Sequence, residues 1–343
     1  MRSCAAATLR RMSKKPAPVH AHPADASARS RQVLDTLLRL LPEGWRESAR
    51  DYLVLMRMDR PVGALLLLWP TWWALWLAQG DFPPPHLLLI FTVGVFLMRS
   101  AGCVINDYAD RWLDPKVERT RGRPIASGRV SPRDALILFV LLMLLAFCLV
   151  LTTNAMTVKL SLVGAALATL YPFAKRYTHL PQVVLGAAFG WSIPMAFAAV
   201  KGDAPGAGYV EALPPLCWLL FLVNVVWSTV YDTEYAMVDR EEDIEAGSKS
   251  TAILFGDADR AIIGILMVTF IGALLLVGAR AGLHWIWYAG VAIAAGMCAW
   301  QQWLMRDRSR EHCFAAFRNN LWLGMALWIC LLLALGLKHG VTG

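Results

Sequence analysis

The stretch HLLLIFTVGVFLMRSAGCVINDYADRWLD, residues 86–114, joins the two signals that decide the fold. Its first part, 86–105, reaches the length of roughly 20 residues that an apolar helix needs to cross a bilayer. Three carboxylates follow at once, on Asp107, Asp110 and Asp114. Each would cost about 2.5–3.5 kcal/mol in hydrocarbon, so they must face water, ions or protein. The stretch therefore predicts a membrane helix with an acidic cluster at its end.

Similar apolar stretches recur along the 343 residues. Apolar residues make up 57% of the chain and charged residues 17%, and the mean hydropathy is +0.48. Soluble domains usually carry about 25% charged residues, so the composition excludes most soluble enzymes, coiled coils and disordered chains. It predicts an all-α polytopic membrane protein, a bundle of nine transmembrane helices at 62–79, 86–105, 135–152, 156–173, 181–200, 214–231, 261–279, 284–304 and 320–337.

The basic residues are placed unevenly between the two sides of this bundle. The loops after spans two, four, six and eight hold sixteen Lys and Arg, whereas the loops of the opposite side and the C-terminal end hold four. Cytoplasmic loops carry such an excess, which predicts a cytoplasmic N-terminus. The net charge of +8 then reflects sidedness in a lipid bilayer, and no nucleic-acid partner is needed to explain it.

The chain divides into a basic N-terminal extension, 1–49, and a membrane domain, 50–343. The first 31 residues lack the apolar core of a secretory signal. Three interpretations remain for them: a mitochondrial transit peptide, a basic tail, or a start placed upstream of Met12. The extension includes the start of an amphipathic segment, 33–58, which we expect to lie along the inner membrane surface.

Acidic residues concentrate in two loops on the predicted inner side. The stretches 106–133 and 231–260 together hold 13 of the 25 acids, and within them we call Asp107–Asp114 the first acidic segment and Asp239–Asp243 the second. If the helices continue, Asp107, Asp110 and Asp114 share one helix face, and so do Asp232, Asp239 and Asp243. Like charges at this spacing repel unless a cation lies between them. Oxygen ligands without His or Cys favour Mg²⁺, which fills its other positions with water and phosphate oxygens.

Two opposed carboxylate faces would thus form a clamp for a diphosphate, in a cavity that opens on the inner side. The alternative is that these acids are solvated charges at helix ends. A membrane transporter with an acidic gate is a further alternative. Transporters, however, usually place charges near mid-membrane at broken helices, whereas these acids lie at span ends on one side.

At these residues the sequence resembles the UbiA superfamily of intramembrane prenyltransferases. Asn106-Asp107-Tyr-Ala-Asp110-Arg-Trp-Leu-Asp114 is similar to its N-D-x-x-D-x-x-x-D motif, and Asp239-Arg-Glu-Glu-Asp243 to its D-x-x-x-D motif. The segments 57–61, 121–128, 171–181, 231–239 and 249–256 resemble the 4-hydroxybenzoate polyprenyltransferase branch. The resemblance covers about residue 50 to the C-terminus.

The resemblance implies that a polyprenyl group moves from its diphosphate to the ring of 4-hydroxybenzoate, ortho to the hydroxyl, as an early membrane step of ubiquinone biosynthesis. It implies Mg²⁺ as cofactor, with the metal ligands Asp107, Asp110, Asp114, Asp239 and Asp243. Four of these, all but Asp114, are the expected catalytic carboxylates. Arg176 matches an arginine expected both in catalysis and in contact with the acceptor carboxylate or the diphosphate. The other expected substrate-binding residues are Asn106, Arg57 and Lys116.

Alternatives within the superfamily differ in the acceptor, which could be a naphthoate, homogentisate or a tetrapyrrole. The preferred prenyl length and any protein partner are not indicated by the sequence. For location, a bacterial inner membrane is the prediction and a mitochondrial inner membrane the alternative.

Overall fold

The computed structural model describes residues 32–36, 38–116, 120–206, 208–245 and 247–340. Within these ranges the regular elements are helices and no strand occurs, which confirms the predicted all-α class. Residues 1–31 of the predicted extension lie outside the described ranges, as do Glu118 and Arg119 of the first acidic loop. The division of the chain at residue 50 stays a prediction.

From residue 43 onward, the α-helices are α1 Glu43–Leu55, α2 Val62–Gln79, α3 Pro85–Ala109, α4 Pro132–Val150, α5 Ala155–Tyr177, α6 Pro181–Gly190, α7 Ser192–Lys201, α8 Tyr209–Ala212, α9 Pro215–Val238, α10 Arg240–Glu245, α11 Thr251–Phe255, α12 Asp259–Ala281, α13 Trp285–Leu304 and α14 Arg310–Gly340. Short 3-10 turns lie at Asp114–Lys116, Gly256–Ala258 and Met305–Asp307.

Eight helical units in the described part of the chain are long and apolar enough to cross a membrane. They correspond to eight of the nine predicted spans, with α6 and α7 together forming the fifth. The remaining predicted span is the 20-residue helix α13, whose Trp, Tyr and Gln side chains lower its hydropathy. The multi-pass membrane fold is thus confirmed, while the count of nine crossings stays a prediction.

The fifth span is broken between α6 and α7 at Trp191. Pro194 has no N–H to donate to the Gly190 carbonyl, which interrupts the helical hydrogen bonds at this point. Gly186 and Gly190 lie on the face of α6 that contacts α9. An added Cβ at Gly186 would lie 3.0 Å from the Val225 carbonyl oxygen, and one at Gly190 would lie 2.8 Å from Asn224 Nδ2. These two glycines therefore let the backbones of α6 and α9 approach closely.

The helices differ strongly in burial. In the most apolar part of α2, 72% of the residues are buried, whereas the share is 17% in α4 and 11% in α5. Helix α2 is therefore central, and the other two helices face the surroundings. An aromatic stack crosses the interior: Trp227 of α9 lies 5.3 Å from Trp73 of α2 and 5.9 Å from Phe270 of α12, centroid to centroid. Trp227 Nε1 also donates to Asn320 Oδ1 of α14 at 2.8 Å. One side chain thus joins four helices.

The C-terminal ends of α3, α5 and α9 meet at one end of the bundle. Arg176 of α5 donates from Nη2 to the Ala109 carbonyl of α3 at 2.6 Å. Lys249, in the loop after α10, donates from Nζ to the Tyr177 carbonyl at 3.5 Å. The two acidic segments, which follow α3 and α9, are therefore carried at the same end of the molecule.

Candidate active site

The first acidic segment departs from the continuous helix considered for it. Helix α3 ends at Ala109, and Asp110 lies beyond its last turn with φ −91° and ψ 2°. The Asp110 carbonyl accepts from the backbone N–H groups of Leu113 at 2.7 Å and Asp114 at 2.9 Å, which form a tight turn. Because Pro115 has no N–H, a helix could not continue through this point without losing a hydrogen bond. The three carboxylates are therefore brought together by a turn.

Asp107 is the most buried of these carboxylates, with 1% of its surface exposed. Arg57 donates from Nη2 to both of its oxygens at 2.9 Å, and Arg123 donates from Nη1 to Oδ1 at 2.9 Å. Hydrogen bonds between ionised groups are the strong ones. The predicted metal ligand is thus held by two guanidinium groups from different loops.

Arg123 also binds Asp114, at 3.1 Å and 3.0 Å from its two oxygens. Burial raises the pKa of the Asp114 carboxyl to about 6; Arg123 opposes this shift, and the charges of Asp107 and Asp110 add to it. The third carboxylate, on Asp110, is paired with the Lys175 ammonium of α5. Three cations therefore neutralise three acids, in agreement with the rule that buried charges are paired.

Arg57 reaches Asp107 from an unusual backbone conformation. Its φ is +58°, in the left-handed region, just after α1. A residue other than glycine costs about 1–2 kcal/mol there. Arg57 Nη1 donates to the Val54 carbonyl at 3.0 Å, which fixes the side chain toward α3. Burial acts to lower the pKa of Arg57, but the charge and hydrogen bonds of Asp107 outweigh it and the pKa is raised.

The other expected substrate-binding residues lie around this segment. Arg176 contacts the Ala109 carbonyl, and its guanidinium also lies 5.4 Å from the Phe173 ring centroid. Asn106 is partly exposed on the last turn of α3, and Lys116 is exposed at the end of the 3-10 turn. Arg176 therefore lies next to the first segment, and Lys116 lies at its rim.

The second acidic segment is also interrupted. Helix α9 ends at Val238, and Asp239, with φ −107°, separates it from the short helix α10. Asp232 and Asp243 therefore do not lie on one continuous helix, contrary to the expected common face. Asp239 and Asp243 remain one turn apart, because the Asp243 N–H donates to the Asp239 carbonyl at 2.8 Å. Asp239 is buried and Asp243 partly buried.

A small cavity adjoins the first segment. It has a volume of about 80 Å³ and lies between the end of α1, the start of α2 and α3. Its lining includes the guanidinium-bearing residues Arg57, Arg60 and Arg99 and the apolar residues Pro61, Ala64 and Phe96. Arg99 also interacts electrostatically with Asp232 of α9 and Tyr171 of α5. The cavity is therefore suited to a small anion with an apolar body.

The sequence analysis did not select three residues that take part in this arrangement: Arg123, Lys175 and Arg99. Arg123 and Lys175 lie at span ends on the predicted inner side, where an excess of basic residues is expected without any functional role. For Arg99 a signal was present, because a charged residue inside a membrane span suggests a functional role.

The donor set fits a hard divalent cation, although it does not form a finished metal site. In the described ranges, no group of three or more His, Cys, Asp or Glu is arranged to hold a metal ion. The carboxylates of the first segment bind Arg and Lys side chains instead. They offer oxygen donors only, which suits a hard cation such as Mg²⁺.

Comparisons with known proteins bear on what this arrangement does. The profile of the UbiA prenyltransferase family matches residues 67–333. The chain is 56% identical over 294 residues to the 4-hydroxybenzoate octaprenyltransferase of Xanthomonas campestris pv. campestris (strain B100), covering 86% of this chain and 95% of the relative. It is also 56% identical over 275 residues to the enzyme of that name from Klebsiella pneumoniae, covering 80% and 92%.

Solved structures with the same fold include a UbiA homolog from Aeropyrum pernix K1, with a TM-score of 0.69 at 23% identity, covering 80% of this chain and 98% of that one. Another is the UbiA homolog from Archaeoglobus fulgidus bound to GPP and Mg²⁺, with a TM-score of 0.61 at 16% identity, covering 82% and 99%. These matches confirm the resemblance indicated by the two acidic motifs, and the chain belongs to the UbiA prenyltransferase family.

Proposed function

We propose that the protein transfers a polyprenyl group from its diphosphate to the ring of 4-hydroxybenzoate, ortho to the hydroxyl, and releases diphosphate. The observation that carries the proposal is the buried acidic segment Asp107–Asp114 beside an arginine-lined cavity. The similarity to the 4-hydroxybenzoate octaprenyltransferases over most of both chains supports this acceptor and favours octaprenyl diphosphate as the donor.

Mg²⁺ is the cofactor that we assign, held by Asp107, Asp110 and Asp114 on one side and by Asp239 and Asp243 on the other. The related fold from Archaeoglobus fulgidus, solved with GPP and Mg²⁺, supports this assignment. When bound, Mg²⁺ would make the diphosphate a better leaving group by neutralising its charge.

The cations of the first segment have a second role in this proposal. Arg57, Arg123 and Lys175 neutralise the carboxylates when no ligand is bound. On binding, we expect these cations to turn to the diphosphate oxygens, because guanidinium groups bind phosphate through paired hydrogen bonds. Arg176, at the end of α5, and Asn106, at the end of α3, complete the diphosphate side.

The acceptor occupies the cavity beside Arg99 in this proposal. A guanidinium binds a carboxylate in a fixed plane, so Arg99 would orient the aromatic ring. Its guanidinium lies 5.7 Å from the Phe189 ring centroid, which fixes its direction. The C–O bond of the donor breaks, the ring carbon beside the hydroxyl forms the new C–C bond, and the displaced ring proton passes to a base. We assign Asp232 as that base, because its carboxylate interacts with Arg99 from the opposite helix α9.

The helices around the site exclude water, which would otherwise hydrolyse the allylic cation formed when diphosphate leaves. Aromatic rings stabilise such a cation through their faces without reacting with it. Tyr171 of α5 is a candidate for this role, because its electrostatic neighbours include Asp110 and Arg99.

The bacterial relatives support a location in the bacterial inner membrane. With the basic loops in the cytoplasm, both acidic segments and the N-terminus lie on the cytoplasmic side. A long isoprenoid tail can then remain in the bilayer while its diphosphate reaches the interface.

Mass spectrometry of the product tests this function. The purified protein, in lipid nanodiscs with Mg²⁺, receives octaprenyl diphosphate and one acceptor at a time: 4-hydroxybenzoate, 1,4-dihydroxy-2-naphthoate or homogentisate. We expect a prenylated 4-hydroxybenzoate and a matching release of diphosphate. A preference for another acceptor would contradict the assignment of the acceptor. Release of diphosphate with none of these acceptors prenylated would contradict the transfer reaction.

A further inference from the structure

A second charged cluster lies next to the second acidic segment and has no part in the mechanism above. Its centre is Asp259, the first residue of α12, which is fully buried. Arg308 donates from Nε to both oxygens of Asp259 at 3.1 Å and from Nη2 to Oδ1 at 2.9 Å. Arg240 donates from Nη2 to Oδ2. One carboxylate thus joins two guanidinium groups from different parts of the chain.

Both arginines are tied to places where the backbone changes direction. Arg240 directly follows Asp239, at the break between α9 and α10. Arg308 has a φ of +53°, in the left-handed region, and ends the turn between α13 and α14. Such a conformation is retained only where surrounding contacts hold it. Arg308 Nη2 also donates to the Asp257 carbonyl at 2.8 Å, which fixes the guanidinium against the start of α12.

A further ion pair holds the second acidic segment on the same side. Arg310 of α14 donates from Nη1 to Glu242 Oε1 at 2.7 Å and interacts electrostatically with Asp239. The residues between the two predicted metal ligands, Arg240 and Glu242, therefore attach α10 to α12 and α14. The position of Asp239 and Asp243 depends on these contacts because α10 has only six residues.

Asp259 is fully buried, whereas the side chains of Arg240 and Arg308 are 21% and 38% exposed. Removing the Asp259 carboxylate from water costs free energy that attraction to its partners often fails to recover. Groups that support metal ligands, in contrast, are known to change metal affinity when they are substituted. A cluster that costs desolvation and braces predicted metal ligands is better explained by positioning.

We propose that Asp259 is a positioning residue for the second acidic segment: by holding Arg240 and Arg308, it sets where Asp239 and Asp243 present their carboxylates to the Mg²⁺-bound diphosphate. The inference rests on the proposed function. Asp259 itself does not contact the substrate and belongs to no acidic motif.

The test compares Asp259→Asn with Asp257→Asn in the full-length protein. Both substitutions remove one negative charge, but Asp257 is exposed and accepts from Arg308 through its backbone carbonyl, which asparagine retains. For Asp259→Asn we expect the Mg²⁺ concentration that gives half-maximal turnover to rise about 10–100-fold, the range for groups that orient metal ligands, while turnover at saturating Mg²⁺ is retained. Asp257→Asn should match the wild type.

A measurement without turnover accompanies this one. Mg²⁺ with inorganic diphosphate is titrated against the melting temperature of each variant, and the half-saturating Mg²⁺ concentration should shift for Asp259→Asn alone. An Asp259→Asn protein with a lower melting temperature but an unchanged Mg²⁺ requirement in both assays would contradict the positioning role, because only the structural contribution would remain.

Arg240→Gln is the second variant if Asp259→Asn fails to fold. It breaks the same contact from a partly exposed residue, so a raised Mg²⁺ requirement supports the proposal and an unchanged one contradicts it. A wild-type protein that does not prenylate any acceptor would contradict the proposed function instead. The thermal titration still compares the variants in that case.

Discussion

The two acidic segments lie at the same end of the bundle but are held differently. In the first, Arg57, Arg123 and Lys175 bind the carboxylates of the motif directly. In the second, the ion pairs described above engage residues between or beside the motif carboxylates, namely Arg240 with Asp259 and Arg310 with Glu242. The first segment therefore carries cations that a metal must replace, whereas the second is braced by its neighbours.

This difference assigns different tasks to the two segments. Cations bound to Asp107 and Asp114 keep the first segment folded without a ligand, and they are available to a diphosphate when a metal takes the carboxylates. The ion pairs of Arg240 with Asp259 and of Arg310 with Glu242 need not change on binding, because they engage neighbours of the two motif residues. We therefore expect the first segment to rearrange on binding and the second to act as a fixed support.

The largest expected effect comes from removing one metal ligand in each segment. Asp107→Asn and Asp239→Asn should each lower kcat by about 10²–10³-fold, the loss typical of one electrostatic group at a reacting centre. Initial rates of diphosphate release with 4-hydroxybenzoate measure this. Asp134→Asn, at the exposed start of α4 where Asp134 bonds Ser131, is the matched control. Wild-type turnover in either variant would exclude the two-sided clamp.

A smaller effect, on the free energy of unfolding, should distinguish the first segment from the second. Arg123→Gln removes the one Nη1 group that binds both Asp107 and Asp114. It should lower the free energy of unfolding by about 1.5–3 kcal/mol, the range for hydrogen bonds to charged groups. Because a divalent cation can replace the guanidinium, the loss should shrink when Mg²⁺ is added. Melting temperatures with and without Mg²⁺ measure both effects.

Arg129→Gln provides the control for Arg123. Arg129 lies in the same loop and pairs with Asp51 at 2.8 Å, but its side chain is 44% exposed. Exposed pairs contribute about 0–1 kcal/mol, so its melting temperature should change little and should not depend on Mg²⁺. Equal losses of melting temperature in Arg123→Gln and Arg129→Gln would show that the ion pairs of Arg123 contribute no more to stability than an exposed ion pair does.

Much of the fold can be predicted from the sequence, and the features that could not be predicted have a physical explanation. Apolar length and the distribution of Lys and Arg predict helices and sidedness, because both reflect transfer to hydrocarbon. The structure also brings the acids of the first motif together, around Arg123 and Lys175. Their common helix face was not retained, because Pro115 ends the hydrogen bonding and a turn brings Asp114 back toward Asp107.

Pairings between distant residues could not be predicted in the same way. Arg123 was one of seven basic residues in its loop, and composition does not show which of them reaches Asp107. Asp259 lies 16 residues beyond Asp243 and shares no motif with it, so only the packing of α12 against α10 and the α13–α14 turn connects it to Arg240 and Arg308. These pairings are visible only in the tertiary structure.

An effect of intermediate size, on the KM for the acceptor, is expected at the acceptor cavity, outside both segments. Gly63 of α2 packs against Arg99, and an added Cβ would lie 2.6 Å from Arg99 Nε and Nη2. Gly63→Ala should displace this guanidinium and raise KM for 4-hydroxybenzoate about tenfold, as expected when a charged hydrogen bond worth 1.5–3 kcal/mol is weakened. KM for the prenyl diphosphate should stay unchanged. A change confined to the diphosphate KM would place Arg99 with the first segment instead.

The smallest effect is expected at an acid that belongs to neither segment. Glu234 of α9 is fully buried, and its Oε2 accepts from Asn320 Nδ2 at 2.8 Å, while Oε1 has no hydrogen-bond partner among the described residues. Gln keeps the accepting oxygen and the shape of the side chain. Glu234→Gln should therefore change kcat by less than about twofold and the free energy of unfolding by less than about 1 kcal/mol, because no hydrogen bond is lost.

Asp107→Asn and Glu234→Gln are the same chemical change, an isosteric loss of one carboxylate. Asp107 is bound by guanidinium groups and is a proposed metal ligand, whereas Glu234 is bound by an amide that also joins Trp227 of the aromatic stack. Glu234→Leu, which leaves the Asn320 amide without this acceptor, should lower the melting temperature although its charge change is the same as that of Glu234→Gln. A loss of turnover in Glu234→Gln comparable to that in Asp107→Asn would show that the charge of Glu234 is used in the reaction.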